Sequence, residues 1–212
     1  MKFYGQYKQD EYVYTKFFQG KKDGFFVDIG AHDGISLNNT YALELIGWKG
    51  ICIEPTPYIF EELVENRKCE VVKIALCNKK GEMDFLVLRG YTQMLSGLMD
   101  NYDPRHLQRI QGELTIVHEG KKGTKELIKS QTDTFMSLNT PNIIDFVSLD
   151  VEGSELKILE GIDFNLKKIK VMAIENNYHD PNINKILFNN GFTIDRYMDC
   201  DTIFVNPKNL SL

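Results

Sequence analysis

The amino-acid sequence predicts an α/β fold with a mostly parallel central sheet, helices on both faces and an antiparallel hairpin at the C-terminal end. Two observations predict it. Short apolar runs that end in polar residues alternate along the chain with segments of helical periodicity, which is the pattern of a parallel sheet. The last two β-type runs, TIDRYM at 193–198 and TIFVN at 202–206, can pair as a terminal hairpin.

The first apolar run leads into a glycine loop, FFVDIGAHDG at 25–34. Gly30 and Gly34 would let the backbone approach a ligand where a Cβ would collide. Asp28, at the end of the strand, would direct a carboxylate into the same space. The spacing D-x-G-x-x-x-G lacks the third glycine of the dinucleotide fingerprint, so it favours a cofactor without a pyrophosphate and argues against a nicotinamide dehydrogenase.

Helices are predicted on both sides of this strand. Residues 6–18 have near-helical apolar spacing, with Asp10 as the N-cap, and would cover an edge of the sheet or form a lid over the cofactor. After the loop, Ser36 or Asn38 would cap a helix that Gly47 ends.

The second strand, GICIEP at 50–55, ends in Glu54. A carboxylate there is placed to accept both ribose hydroxyls of a bound nucleoside, although Glu54 could instead cap the helix at 57–66. Residues 69–76 are predicted as the third strand, with Ala75 and Leu76 at the position where adenine stacks in such a fold.

The regular alternation stops after an added strand, EMDFLVL at 82–88. The segment 89–132 is too long for an ordinary connection between core strands, so we assign it to acceptor recognition. The core resumes with a strand at 145–150 and a fifth strand at 170–177, and a last helix follows at 182–190.

Acidic residues end four of these strands. They are Asp28, Glu54, Asp150 and Glu175. Because ligands of parallel sheets bind at the carboxyl ends of the strands, we expect the four carboxylates at one edge.

The order of these blocks resembles one family. FFVDIGAHDG at 25–34, GICIEP at 50–55, VSLDVEGSELKILEG at 147–161 and TIFVN at 202–206 are similar to blocks of the FkbM methyltransferases, and the resemblance extends from about residue 6 to about residue 205. It implies a Rossmann-like class I fold that uses S-adenosylmethionine (SAM), in a single domain over residues 1–212. It also implies O-methylation of a hydroxyl, on a sugar of a glycan, glycolipid or glycosylated natural product.

The resemblance and the strand ends together give the candidate site residues. The cofactor-binding candidates are Asp28, Gly30, Ala31, His32, Gly34, Ser36, Glu54, Pro55, Ala75, Leu76 and Asp150. The catalytic candidates are Asp150, Glu152 and His179. His106 is a second histidine placed to touch an acceptor, but His179, which follows the fifth strand, is the preferred one.

A divalent cation such as Mg²⁺ is a further expectation. Asp150, Glu175 and Asn176 resemble the magnesium-binding trio of catechol-type O-methyltransferases. In the competing interpretation Asp150 or Glu152 is the base directly, and Glu175 and Asn176 orient the acceptor.

Composition limits the partners. The formal net charge of −5 argues against a nucleic-acid partner. The chain shows neither a signal-peptide pattern nor an apolar stretch of membrane-spanning length, so we expect a cytoplasmic protein without membrane insertion. The four cysteines lack C-x-x-C spacing and are expected to be reduced. Two alternative functions stay open: a non-catalytic SAM-binding module, and a methyltransferase for an amine or a carboxylate.

Overall fold

A computed structural model describes residues 1–118 and 120–212. The strands of this part of the chain are β1 (Phe25–Ile29), β2 (Lys49–Ile53), β3 (Glu70–Val72), β4 (Ala75–Leu76), β5 (Gly81–Arg89), β6 (Gly97–Leu98), β7 (Val117–His118), β8 (Lys121–Lys122), β9 (Thr124–Asp133), β10 (Ile143–Leu149), β11 (Lys168–Glu175), β12 (Thr193–Met198) and β13 (Asp201–Val205). The helices are α1 (Gln9–Phe17), α2 (Tyr41–Leu45), α3 (Pro57–Asn66), α4 (Pro104–Glu113), α5 (Glu155–Glu160), α6 (Pro181–Asn189) and α7 (Pro207–Leu210).

A seven-stranded sheet forms the centre of the molecule, in the order β12-β13-β11-β10-β1-β2-β3. The pairs from β11 to β3 are parallel. β13 runs antiparallel to β11, and β12 pairs antiparallel with β13, so the predicted terminal hairpin is confirmed. This mostly parallel sheet confirms the predicted Rossmann-like α/β fold.

Helices cover both faces of the sheet, as predicted. Alternate residues of β1 point to opposite faces because the side-chain period of a strand is two residues. Val27 packs in one core cluster with Ile158 of α5 and Leu187 of α6. Phe26 packs in the other with Val13 of α1 and with α2 and α3. The central strands are therefore buried on both sides, which explains their nearly continuous apolar runs.

The prediction of one strand over 69–76 was wrong. Only β3 joins the central sheet, whereas Ala75 and Leu76 form β4, which pairs in parallel with Thr132 and Asp133 of β9. Apolar character continues through the segment because both halves are partly or fully buried, but they are buried in different sheets.

The segment predicted as an insertion builds most of this second sheet. The sheet has the order β4-β9-β5-β6, with a long antiparallel ladder between β5 and β9. The EMDFLVL run at 82–88 is therefore an added strand, as predicted. The connection from β5 to β9 also carries α4 and the short β7–β8 hairpin, and Glu119 of this segment lies outside the described residues.

The predicted helix caps differ in detail. Asp10 does not cap α1, which begins one residue earlier, and its carboxylate accepts from the backbone N–H of Tyr4 at 2.6 Å. Asn38 accepts from the N–H groups of Thr40 and Tyr41 at the start of α2, whereas Ser36 bonds to Asp33. Among the described residues, no helix is long and apolar enough to cross a membrane.

Candidate functional site

A cavity of about 240 Å³ opens at the carboxyl ends of the parallel strands. It is lined by the residues that follow or end β1, β2, β10 and β11, and by parts of the second sheet. The acidic residues that line it are Asp28, Glu54, Asp150, Glu152 and Glu175. The four strand-end acids thus lie at one edge, as predicted from the sequence.

The glycine loop has two conformationally demanding positions. Gly30 lines the cavity with φ +84°, and its N–H donates to the carbonyl oxygen of Ile53. A Cβ at Gly30 would lie 1.7 Å from the carbonyl oxygen of Asp150. Gly34, with φ +80°, does not line the cavity, and a Cβ there would meet the side chains of Arg67 and Leu63. Both glycines are thus required by contacts within the protein itself.

Asp28 stabilises the glycine loop by accepting hydrogen bonds from residues that follow the loop in the chain. Its Oδ2 accepts from the amide of Asn38 at 2.9 Å and from the hydroxyl of Thr40 at 2.6 Å. Arg67, whose side chain is fully buried, lies 3.8 Å from the same oxygen and is paired with Glu44 at 2.6 Å. Burial raises the pKa of Asp28, and Arg67, Thr40 and Asn38 oppose this by stabilising the charged carboxylate.

Glu54 connects the first two strand ends. Its buried carboxylate accepts from the N–H of His32 at 3.2 Å and from the N–H of Thr56 at 2.7 Å. Thr56 precedes α3, so this bond orders the approach to the helix, and Glu54 does not cap the N–H groups of the helix itself. The same carboxyl group faces the cavity, where its remaining lone pairs can accept from a ligand hydroxyl.

Other cofactor-binding candidates also line the cavity. They are Ala31, His32, Ser36, Pro55, Ala75 and Leu76. Both ring nitrogens of His32 are buried without a hydrogen-bond partner among the described residues. Ala75 and Leu76 of β4 supply buried apolar surface of the kind on which a flat base can pack.

Asp150 lies where β10 ends, beside β1. It lines the cavity, and its side chain is exposed there. Desolvation by the surrounding protein and the neighbouring charges of Asp201 and Glu155 raise the pKa of Asp150 to about 7. Burial and the charge of Asp150 likewise raise the pKa of Glu175 well above its usual range. These carboxyl groups repel one another, so the site favours a cationic ligand.

Two members of the metal trio predicted from the sequence, Asp150 and Glu175, come together, and the third acid beside them is Glu155. Oxygens of Asp150, Glu155 and Glu175 lie within 4.8 Å of one another. The amide of Asn176 instead bonds within its own loop, accepting from the N–H of Asp180 at 2.8 Å. Asn176 is also absent from the described residues that line the cavity.

Glu155 is a site residue that the sequence reasoning missed. Its buried carboxylate accepts from the backbone N–H groups of Val151 and Gly153 at the start of α5. These bonds hold the connection from β10 to α5 and occupy lone pairs that a metal ion would need. The signal for this role in the sequence is an acid two residues after Gly153, at the helix start.

Glu152 and the two candidate histidines occupy different positions. Glu152 lines the cavity, whereas His179 is exposed and does not. His106 of α4 is buried, and its Nε2 lies 3.4 Å from Oε2 of Glu152.

Arg109, three residues further along α4, also lines the cavity and was not anticipated. The helical spacing of residues 106 and 109 was the only signal for it in the sequence.

Solved structures with similar folds were found at low sequence identity. A precorrin-6y C5,15-methyltransferase from Geobacter metallireducens GS-15 is 12% identical, with a TM-score of 0.45 over 92% of this chain and 86% of that one. A SAM-dependent methyltransferase from Aquifex aeolicus is 14% identical, with a TM-score of 0.42 over 92% of this chain and 87% of that one. No curated protein matches the chain in sequence.

The family comparison covers most of the chain. The family model described as the methyltransferase FkbM domain matches residues 28–197. This range begins at Asp28, at the end of β1, and includes the glycine loop, Glu54 and the acids that follow β10 and β11. The chain therefore belongs to the FkbM methyltransferase family.

Proposed function

We propose that this protein is a SAM-dependent O-methyltransferase that transfers a methyl group to a hydroxyl of a sugar, in a glycan, glycolipid or glycosylated natural product. The observation that carries the proposal is the convergence of the strand-end acids Asp28, Glu54, Asp150 and Glu175 on one cavity beside the glycine loop. Bound SAM would supply an electrophilic methyl group on a cationic sulfonium.

The part of the cavity near β1 and β2 fits the cofactor. Glu54 retains lone pairs for the ribose hydroxyls, and Ala75 and Leu76 offer apolar surface to the adenine. The carboxyl-rich surroundings suit a ligand with a sulfonium and an ammonium group. Asp28 acts here through Asn38 and Thr40, by holding the loop in shape.

The part near β10 fits an alcohol acceptor. A hydroxyl becomes a better nucleophile when a base takes its proton during transfer, and a base with a pKa near the working pH is the most effective. Asp150 has a pKa of about 7 and faces the cavity. We assign it as the base, with Glu152 accepting a hydrogen bond that orients the acceptor hydroxyl.

Charge also selects among acceptors. A carboxylate acceptor would add a negative charge beside Asp150, Glu152 and Glu175, whose pKa values are already raised by burial and neighbouring charges. A nucleic acid would meet the same repulsion, in a chain of net charge −5. A neutral sugar hydroxyl avoids this cost and finds several carboxylate acceptors. We place the reaction in the cytoplasm.

A transfer assay with methyl-labelled SAM and a panel of neutral and acidic sugars tests the proposal. We expect label in a neutral sugar acceptor, and none when Asp150 is replaced by Asn. Calorimetric titration with SAM separates the alternatives. Binding of SAM without transfer to any sugar, amine or carboxylate would favour a non-catalytic module, and absence of SAM binding would refute the proposal.

A further inference from the structure

Glu152 has an unusual position at the cavity. Its backbone is left-handed, with φ +59°, in the tight connection between β10 and α5. This conformation is costly for a residue with a side chain, and it persists only where the surrounding structure enforces it. The Oε2 atom of Glu152 is buried and makes no hydrogen bond to the described residues. A buried carboxylate oxygen without a donor is destabilising, so a nearby donor is expected.

His106 is that neighbour. Its Nε2 lies 3.4 Å from Oε2 of Glu152, and this nitrogen is also buried without another hydrogen-bond partner in the described chain. Burial lowers the pKa of His106 to about 4, so the ring is neutral and carries a single N–H. One hydrogen bond between Nε2 and Oε2 would satisfy both atoms.

The His106 ring is held in place from two other sides. It stacks on Tyr102, with ring centroids 5.0 Å apart and an interplanar angle of 5°. Tyr102 is itself fixed, because its hydroxyl donates to the carbonyl oxygen of Leu95 at 2.7 Å. On the other edge, Nδ1 of His106 lies 3.2 Å from the hydroxyl of Tyr178.

The Tyr178 contact bears on the tautomer of His106, because the Tyr178 hydroxyl can either donate to Nδ1 or accept from it. When the hydroxyl donates to Nδ1, the single imidazole proton must reside on Nε2, where it points to Glu152. The guanidinium of Arg105 lies 4.6 Å from the centre of the Tyr178 ring, which restrains that ring.

We propose that Tyr178 and His106 are positioning residues for Glu152. Tyr178 donates to Nδ1 of His106, and Nε2–H of His106 donates to Oε2 of Glu152. The other carboxyl oxygen of Glu152 is thereby presented to the acceptor hydroxyl. The inference rests on the proposed function. It assigns a role to α4, since His106 belongs to the segment between β5 and β9, outside the central sheet. It also replaces the exposed His179 with His106 as the histidine that matters to the reaction.

Nitrogen-15 NMR of the full-length protein, labelled at histidine, tests the hydrogen-bond chain without any acceptor. The chain has four histidines, and His106→Gln identifies the signals of His106. We expect a protonated Nε2 and a bare Nδ1. Glu152→Gln should shift the Nε2 signal, and Tyr178→Phe should shift the Nδ1 signal. A proton on Nδ1, or an Nε2 signal unchanged in Glu152→Gln, would overturn the inference.

Kinetics test the consequence, with the sugar that accepts label in the transfer assay. His106→Phe keeps the ring shape but removes the donor, and we expect kcat to fall roughly tenfold, the upper end of the effect of losing one hydrogen bond. His106→Gln keeps an N–H at similar reach and should retain kcat within about threefold. The control is Tyr197→Phe, at an exposed aromatic residue of β12 that does not line the cavity; it should leave kcat unchanged.

The outcomes separate this inference from the proposed function. The affinity for SAM should be unchanged in both His106 variants, which also shows that they fold. Equal kcat in His106→Phe and wild type, or equally low kcat in His106→Gln and His106→Phe, would refute a positioning role while leaving the methyl transfer intact. If wild-type protein fails to bind SAM, the proposed function fails whatever the tautomer of His106.

Discussion

Gly30 lies against the backbone of Asp150, so closely that a Cβ at position 30 would fall 1.7 Å from the carbonyl oxygen of Asp150. The contact joins the loop after β1 to the end of β10. It fixes where the Asp150 carboxyl enters the cavity relative to the glycine loop. The glycine is therefore needed to bring the two halves of the site together.

This contact predicts an unusually large cost for Gly30→Ala. We expect the free energy of unfolding to fall by roughly 2–5 kcal/mol, from the left-handed backbone and the collision with Asp150. Gly20→Ala is a matched control, because Gly20 has nearly the same φ, +83°, but no atom of the described residues beyond its chain neighbours lies within 4 Å of the added Cβ. It should cost only roughly 1–2 kcal/mol. Equal losses in urea unfolding of the two variants would contradict the role of the contact.

Glu54→Ala should weaken the binding of SAM. Removing the carboxylate leaves ribose hydroxyls and the N–H of His32 without an acceptor, so we expect a loss of roughly 1–3 kcal/mol, or about 5- to 150-fold in Kd. Calorimetric titration measures it. The exposed Glu61 of α3 provides the control, and Glu61→Ala should bind SAM as the wild type does. Unchanged affinity in Glu54→Ala would remove the ribose assignment.

Asp150→Asn should lower kcat by about 10²- to 10⁴-fold, the usual effect of losing a general base, while the Kd for SAM changes by less than about threefold. The wild-type rate should rise as the pH increases through about 7, because only the ionised carboxylate of Asp150 accepts a proton. The variant should lack this rise. A variant with wild-type turnover would show that Asp150 is not the base.

The raised pKa of Asp150 also predicts how stability depends on pH. In the unfolded chain an aspartate loses its proton near pH 3.8, whereas in the folded protein Asp150 keeps it up to about pH 7. Its contribution is therefore complete below about pH 4 and is lost as the pH rises towards 7. Asp150→Asn removes this loss, so its Tm relative to wild type should be higher at pH 8 than at pH 5. A difference in Tm that is the same at both pH values would argue against the raised pKa.

Chelation should leave the reaction intact. Glu155 is occupied by backbone N–H groups and Asn176 by Asp180, so Asp150 and Glu175 lack the companions of a full cation site. We expect EDTA to leave kcat unchanged, with added Mg²⁺ as the control. Activity that EDTA abolishes and Mg²⁺ restores would revive the cation-assisted mechanism predicted as one alternative from the sequence.

Much of the fold was predictable from local patterns. β1, β10 and β11 are apolar because helices cover both faces of the sheet, and each has an acidic residue at or next to its carboxyl end. An apolar run that ends in an acid therefore predicts both a buried strand and a carboxylate at the sheet edge. Asp28, Glu54, Asp150 and Glu175 were found in this way.

The partner of each side chain was not predictable from such patterns. The run at 69–76 is apolar throughout, and nothing local indicates that Ala75 pairs with Thr132 in another sheet. Asn176 follows β11 as predicted, yet its amide oxygen accepts from the backbone N–H of Asp180, within the loop between β11 and α6. Hydrophobic periodicity indicates that a residue is buried, but it does not indicate which part of the protein covers that residue.

The sequence by itself determined the α/β class, the terminal hairpin, the edge at which the acids meet and the family. Only the tertiary structure decided that His106 faces Glu152 while His179 faces solvent, because that choice depends on how α4 docks against the connection from β10 to α5. The contact joins His106 and Glu152, which are 46 positions apart in the chain. Such contacts arise from packing between elements, for which the local sequence carries no period and no spacing.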